Sequence, residues 1–317
     1  MRAGFLDYFR NISSVTVPAT EMIAIEFNLN RTESILSLTV YTLGLALGPL
    51  LIAPLSVALG RRWVYIITSS TLLIFTGGAA AARNYATLLV CRFPAGFLGS
   101  AGVAIGAGTL GDIWAFGKVE GLVSLCFILG PFLGPSLGPL AGAYILHDHN
   151  NNWRWTQYLL LMIGGPVWLG TVLMRETSKS WILKSARKNT QENKIADHHG
   201  SFKKITPVVA RPVKMLFTEV IVLSLTIYTA FAYAMIFAYF GSASYVLQLE
   251  YGFYLRQVGL GFISVMIGYL MALLMFIIID KTLYAKALEA AGGVAAPEHR
   301  LYAAMAGSVL LPIGLFW

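Results

Sequence analysis

One arginine stands inside a stretch of the chain that is otherwise apolar. Arg92 lies within the run Leu88–Trp114, beside the small residues Ala95 and Ser100 and a series of glycines. A charge inside a membrane-spanning helix is costly, and it usually faces the protein interior or a water-filled cavity. Because Arg92 is only a few residues from the predicted outer end of the run, snorkelling of its guanidinium to the interface is an alternative.

Three Gly-Pro pairs recur at four-residue spacing in the apolar stretch Ile128–Ile145. Four residues advance about 400° around a helix, so the pairs drift slowly along one face. Glycine lets a neighbouring helix approach, and proline bends the helix and frees carbonyls that packing or water must satisfy in lipid. The pattern predicts a kinked surface at a helix-helix seam. The six residues are Gly130, Pro131, Gly134, Pro135, Gly138 and Pro139.

A short turn of glycine and two arginines, Gly60-Arg61-Arg62, separates two apolar runs. Glycine adopts the backbone angles that a tight turn needs, and the arginines can hold the turn in water and donate to helix-end carbonyls. The alternative is a plain positively charged flank on the cytoplasmic side.

Four side chains, from two tyrosines, a methionine and a serine, lie on one face of the predicted helix Glu219–Leu247, because their spacing follows the helical period. Aromatic rings with a polar edge suit a mostly apolar pocket for small organic compounds; the alternative is a packing or interfacial face. The four candidates are Tyr228, Met235, Tyr239 and Ser242.

The sequence contains no nucleophile beside a base, no phosphate-binding loop and no zinc spacing, so we expect no enzyme activity. The five histidines stand in polar segments, and we interpret them as solvated loop residues. Cys91 and Cys126 have no neighbour at metal-ligand spacing and are interpreted as small apolar side chains. We therefore expect no metal and no cofactor.

Composition indicates the class of protein that positions these residues. The chain has 317 residues, of which 57% are hydrophobic and 12% charged, whereas soluble domains carry about 25% charged residues. The net charge of +8 is what positive cytoplasmic loops produce. Nucleic-acid binding is disfavoured, because no basic patch accompanies a foldable soluble domain.

Apolar runs long enough to span a membrane predict an all-α membrane protein. Residues Gly4–Ala24 can hold the end of one more helix. Lysine and arginine are concentrated in alternate loops, ten of them between Arg175 and Lys214, which places that segment in the cytoplasm. The predicted spans are Ile35–Leu59, Trp63–Ala82, Thr87–Trp114, Gly121–Leu146, Tyr158–Met174, Glu219–Leu247, Gln257–Asp280 and Leu301–Trp317.

The long polar segment divides the chain into predicted domains. Residues 1–174 form an N-terminal membrane half with a partial first helix and five more helices. Residues 175–217 form a cytoplasmic linker with too few large apolar residues to fold alone. Residues 218–317 form an incomplete C-terminal half of three helices.

Several ordered motifs resemble those of the major facilitator superfamily, and more closely its fungal drug:proton antiporter branch. "GPLLIAPLSVALGRR" resembles the first signature of that branch, "CRFPAGFLGSAGVAIGAGTLGDIW" its fourth-helix signature, and "LGPFLGPSLGPLAGAYI" its antiporter signature. "NNWRWTQY", "RETSKSWILKSARK", "RPVKMLFTEVIV" and "YGFYLRQVGLGF" also match. The resemblance covers nearly the whole chain.

The resemblance implies roles for the motif residues. Gly60, Arg61 and Arg62 would latch the inward side in the outward-open state, Arg92 would take part in proton coupling, and the Gly-Pro helix would line the seam between the halves. An acidic residue that the branch usually carries near Ser56–Ala58 is missing here, which leaves the latch without its acid-base part. A glutamine is often found where Ala95 stands.

The family has twelve helices, and this chain resembles about nine of them, truncated at both ends. The resemblance implies a secondary transporter that exports drugs, toxins or polyamines against proton entry by alternating access. We expect small-molecule, proton and lipid partners, a monomer, and the plasma membrane or alternatively the vacuolar membrane. The alternatives are nutrient or siderophore uptake, and a non-transporting fragment.

Overall fold

A computed structural model describes residues 15–113, 120–174, 176–178, 181, 214–286 and 301–316. Regular structure in these residues is helical, which confirms the predicted all-α class. The helices are α1 (Thr20–Phe27), α2 (Arg31–Leu59), α3 (Arg61–Ala80), α4 (Tyr85–Gly99), α5 (Ala101–Ile113), α6 (Glu120–Asp148), α7 (Arg154–Val172), α8 (Val220–Leu249), α9 (Leu255–Gly261), α10 (Ile263–Ile279), which continues as a π-helical turn over Asp280–Tyr284, and α11 (Tyr302–Phe316).

Each of the eight predicted spans coincides with one of these helices or with a consecutive pair. The span predicted over Thr87–Trp114 is interrupted at Ser100 and divides into α4 and α5, and the span predicted over Gln257–Asp280 is interrupted at Phe262 between α9 and α10. Of the partial first helix predicted within Gly4–Ala24, the structure describes only the end, as turns followed by α1.

In the part of the chain that the structure describes, five helical segments are long and apolar enough to cross a membrane by length and composition. They are Thr32–Val57, Arg61–Ala80, Tyr85–Gly106, Val220–Leu249 and Leu255–Tyr284, with a shorter apolar helix at Tyr302–Gly314.

Helices α2 and α4 approach each other at backbone contact. A Cβ atom added at Gly44 would lie 2.5 Å from the Phe93 carbonyl oxygen and 2.7 Å from the Phe97 nitrogen. A Cβ at Gly96 would overlap the Tyr41 carbonyl, and one at Gly48 would overlap Ser100. The small residues of α4 are therefore matched by glycines on α2, which allows this close approach.

The chain packs as two compact units. Residues Met1–Ile263 form the first and Ser264–Trp317 the second. The first contains a buried cluster of Val15, Tyr41, Leu72, Ala95 and Leu160 between its helices. The predicted division into residues 1–174, 175–217 and 218–317 stays a prediction, and most of its linker lies outside the described residues.

An ion pair ties the end of α1 to the start of α7 on the predicted outer side. Arg154 donates from both terminal nitrogens to the Glu26 carboxylate at 2.9 and 2.7 Å, and the Trp153 indole donates to the same carboxylate at 2.5 Å. Arg154 also donates to the Ala82 carbonyl at 3.0 Å, beyond the end of α3. The contact therefore joins three segments of the N-terminal half.

The ion pair predicts an acid-dependent loss of stability. Hydrogen bonding from Arg154 holds the pKa of the Glu26 carboxyl below its usual value of 4.5; desolvation opposes this shift, and hydrogen bonding from Trp153 adds to it. A carboxyl whose folded pKa is lowered contributes stability above its unfolded pKa, and that contribution is lost as pH falls through the folded pKa. Because both side chains are partly exposed, at 26% for Arg154 and 38% for Glu26, we expect no more than about 1 kcal/mol.

The measurement is the melting temperature of the purified protein between neutral pH and pH 3. Glu26→Gln should lower the melting temperature at neutral pH and flatten its decline in acid. Glu33→Gln is the control variant, because Glu33 is a solvent-exposed carboxylate near the start of α2. An acid profile that is the same with and without the Glu26 carboxylate would contradict the prediction.

Candidate functional site

The turn between α2 and α3 has the backbone geometry that the sequence predicts. Gly60 has φ +90°, in the region that favours glycine. A Cβ atom at this position would also lie 2.7 Å from a Glu176 carboxylate oxygen. Both the backbone angle and the close neighbour therefore require glycine here.

The Glu176 carboxylate binds the first turn of α3 from beyond the end of α7. One of its oxygens accepts from the Arg61 backbone N–H at 3.0 Å and the other from the Arg62 N–H at 3.1 Å. The first oxygen also accepts from the backbone N–H groups of Thr177 and Ser178, at 3.0 and 2.9 Å. A carboxylate at a helix N-terminus satisfies otherwise unpaired N–H groups and complements the helix dipole.

Sequence reasoning missed this role of Glu176. The missing acid near Ser56–Ala58 indicated a turn without an acidic partner, yet a carboxylate binds the turn from 115 residues further along the chain. The signal was present in the segment "RETSKSWILKSARK", where Glu176 follows the apolar run closely. Its contact with Arg61 and Arg62 is made by their backbone, so spacing between charged side chains does not predict it.

The two arginine side chains extend away from this turn in different directions. Arg62 donates to the Val172 carbonyl at 3.2 Å, at the C-terminal end of α7. This is the helix-end bond that the sequence predicted. Arg61 lies against α5, where a Cβ on Gly108 would be 2.9 Å from a terminal guanidinium nitrogen. The turn thus connects α3, α5 and α7, and its gating role stays a prediction.

Removing the Glu176 carboxylate is expected to destabilise this end of the protein. Glu176→Ala leaves two helix-start N–H groups without their acceptor, and hydrogen bonds to a charged group contribute about 1.5–3 kcal/mol. We expect a loss of roughly 2 kcal/mol, measured as a lower melting temperature of the detergent-purified protein.

Glu219→Ala is the matched control for this prediction. Glu219 also precedes a long helix on the predicted cytoplasmic side, but it is exposed and its side chain does not cap α8. We expect it to melt like the parent protein. Equal melting temperatures for the two variants would contradict the capping role of Glu176.

Arg92 is buried within the N-terminal helices. Only 2% of its surface is exposed, so its guanidinium does not snorkel to the outer surface in this structure. The guanidinium carbon lies 6.0 Å from the centre of the Tyr41 ring on α2. Arg92 and Gly96 are one helical turn apart on α4, and both face α2 near Tyr41. This places the charge beside a backbone contact between α2 and α4.

Helix α6 contains all three Gly-Pro pairs. The surroundings of Gly130 and Pro131 lie outside the described side chains; Gly134, Pro135, Gly138 and Pro139 are buried. The glycine series continues one step further, to Gly142, where a Cβ would overlap the Val15 carbonyl. The described part of this face is packed, and the kinked seam between the halves stays a prediction.

The predicted substrate face lies along α8. Tyr228 and Tyr239 are 37% and 47% exposed, and Met235 is half-buried. The Tyr239 ring packs edge-on against Phe240 and Phe262, and the exposed Ser242 hydroxyl donates to the Tyr239 carbonyl at 3.4 Å. The four residues stay candidates for substrate contact.

Comparison with known proteins bears on what this arrangement does. Residues 3–317 match the Major Facilitator Superfamily. The chain is 33% identical to the MFS-type transporter phm3 of Pyrenochaetopsis sp over 327 residues, covering 99% of this chain and 66% of that protein. It is 32% identical to the efflux pump FUB11 of Gibberella fujikuroi over 303 residues, covering 92% and 52%.

A third relative is the major facilitator superfamily multidrug transporter FLU1 of Candida albicans. It is 31% identical over 304 residues, covering 92% of this chain and 49% of that protein. The chain thus spans about half to two thirds of the length of these relatives. The match over residues 3–317 confirms the predicted resemblance and the predicted class of an integral, multi-pass helical membrane protein. The chain belongs to the Major Facilitator Superfamily.

Proposed function

We propose that the full-length protein is a secondary active transporter that exports small organic compounds by alternating access, with proton entry as the driving force. Family membership over residues 3–317 carries this proposal. Relatives named as efflux pumps and as a multidrug transporter support the direction of transport. In such transporters the substrate binds near the bilayer midplane between two helical halves that rock against each other.

The described geometry supports this proposal in two ways. The charge of Arg92 is buried beside Tyr41 within the N-terminal helices, and intramembrane charges mark ion and proton pathways. The buried part of the Gly-Pro face of α6 provides small residues for close helix contacts. We also propose a monomer in the plasma membrane.

The test uses yeast cells that lack their own efflux pumps and express the full-length protein. Cells preloaded with a fluorescent drug or polyamine conjugate should lose fluorescence faster than cells with an empty vector. A protonophore should abolish the difference. Faster accumulation instead of loss would indicate uptake, and equal rates across a broad panel of drugs, toxins and polyamines would overturn the export proposal.

A further inference from the structure

The turn between α8 and α9, on the predicted outer side, exposes three aromatic side chains. Tyr251 is 67% exposed, Phe253 39% and Tyr254 80%. The Tyr251 and Phe253 rings lie 6.0 Å apart between their centres, and Leu249 at the end of α8 is exposed as well. We call Tyr251, Phe253 and Tyr254 the aromatic turn. Neighbouring exposed apolar side chains mark a surface that contacts another molecule or a membrane.

Hydrogen bonds close the backbone of the aromatic turn. The Phe253 N–H donates to the Leu247 carbonyl at 3.0 Å, and the Tyr254 N–H donates to the Gln257 side-chain oxygen at 2.9 Å. Gly252 has φ +63°, in the region that favours glycine. The rings are therefore presented outward by a compact turn with defined backbone bonds.

Aromatic residues beside the other described outer turns pack inward instead. Phe27, Tyr85 and Trp153 adjoin the turns α1–α2, α3–α4 and α6–α7. The Phe27 ring lies 6.1 Å from each of the other two rings between centres. Exposed side chains of these turns include Asn28 and Arg83. Among the outer turns that the structure describes, only the one between α8 and α9 therefore exposes tyrosine and phenylalanine rings.

The length of α8 places the aromatic turn at the surface of the membrane. Helix α8 has 30 residues and no charged side chain, so it is about 45 Å long at a rise of about 1.5 Å per residue. The hydrocarbon core of a bilayer is about 30 Å thick, and the headgroup regions extend it to about 40–45 Å. Glu219 directly precedes α8 and Glu250 directly follows it. When α8 spans the bilayer, the aromatic turn therefore lies among the headgroups.

Polar contacts at the same level agree with this position. With its amide NH2 directed at Glu21, the Gln248 side chain donates to both carboxylate oxygens at 3.1 Å. Arg256 is exposed, and its guanidinium carbon lies 4.9 Å from the centre of the Tyr144 ring. Charged groups at this level fit the headgroup region and not the hydrocarbon core. Tyrosine is enriched in this region, because its ring is apolar and its hydroxyl is polar.

We propose that Tyr251, Phe253 and Tyr254 anchor the turn between α8 and α9 in the phospholipid headgroup region of the outer leaflet. The bodies of the rings lie against the upper acyl chains, and the tyrosine hydroxyls contact phosphate groups and water. The anchor sets the depth at which the adjoining ends of α8 and α9 lie in the membrane. It requires a membrane-spanning α8 and does not depend on transport.

The test measures the surroundings of a nitroxide spin label on this turn. The full-length protein carries Tyr251→Cys as its sole cysteine, with Cys91, Cys126 and any others replaced by serine, and it is reconstituted in phosphatidylcholine nanodiscs. Collisions of the label are measured with oxygen, which concentrates in lipid, and with a nickel chelate, which stays in water. Asp148→Cys gives the matched label, because Asp148 is exposed beside the polar turn between α6 and α7.

The label at position 251 should collide mainly with oxygen, and the label at position 148 mainly with the nickel chelate. Equal access of the nickel chelate to both positions would overturn the proposal, because the turn would then lie in water. A label at position 251 that is shielded from both reagents would also overturn it, because another part of the protein would then cover the turn.

Removal of the other two rings tests whether they hold the turn in the lipid. Phe253→Ser with Tyr254→Ser, in the Tyr251→Cys protein, should raise the collision rate with the nickel chelate severalfold. Tyr158→Ser is the matched control, since Tyr158 is an exposed tyrosine on α7, and it should leave this rate unchanged. An unchanged rate after loss of both rings, or an equal rise in Tyr158→Ser, would contradict the anchor.

Discussion

Gly96→Leu should prevent the protein from reaching its folded state. The first atom of any side chain at this position would overlap the Tyr41 carbonyl on α2, and a backbone carbonyl cannot rotate away as a side chain can. Inserting bulk into a packed core typically costs about 1–3 kcal/mol, and leucine here adds four carbons at a backbone contact, so we expect a cost of at least about 3 kcal/mol. The measurement is the monodisperse peak of a fluorescent fusion after detergent extraction, which should be lost.

Gly165→Leu is the matched control for this prediction. Gly165 also lies within a long helix, α7, but nothing lies within 4 Å of a Cβ added there. The monodisperse peak of Gly165→Leu should remain, because this variant introduces the same leucine at a position without a helix contact. A milder variant, Gly96→Ala, should give reduced yield and a lower melting temperature. If Gly96→Leu extracts as well as Gly165→Leu, the close approach of α2 and α4 is not required for folding.

Under the proposed function, Arg92→Ala in the full-length protein should leave the protein folded and abolish most of the proposed proton-driven efflux. Charge pairs within about 4–6 Å shift proton affinity by 1–3 pKa units, so losing the guanidinium changes the proton affinity of a nearby coupling group about tenfold or more. We expect the efflux rate to fall by a similar factor and its optimum to move along the pH axis. The pH profile distinguishes proton coupling from a purely structural role of Arg92. Loss of a structural role would lower the efflux rate by the same factor at every pH.

Two further variants make the Arg92 prediction specific. Arg92→Lys retains the charge and should recover part of the rate. Arg83→Ala removes an exposed arginine at the predicted outer end of the preceding helix, and it should transport normally. Normal efflux by Arg92→Ala under a proton gradient would contradict the coupling role of Arg92.

The sequence by itself determined the helices and their approximate ends. A membrane span is recorded locally, in about 20 consecutive apolar residues, so the eight predicted spans agree with observed helices. The glycine at the turn between α2 and α3 was equally readable, because the requirement at Gly60 is set by its own backbone angle. The ordered motifs also indicated the family, which the match over residues 3–317 confirmed.

The interruptions at Ser100 and Phe262 were not predicted. Both lie inside runs that remain apolar on each side, and hydropathy does not distinguish one continuous helix from two consecutive ones. The proton-coupling, gating and substrate assignments of single residues stay predictions, because a role depends on changes of state that one conformation does not contain.

Only the tertiary structure decided which residues meet. Glu176 caps α3 from 115 positions away, and Glu26 binds Arg154 from 128 positions away. Gly44 and Gly48 on α2 are conspicuous only once α4 lies against them. The direction of Arg92 was also open, since a charge near a helix end can reach the surface or turn inward. Such contacts depend on how whole helices pack, and hydropathy within one span carries no information about its partner.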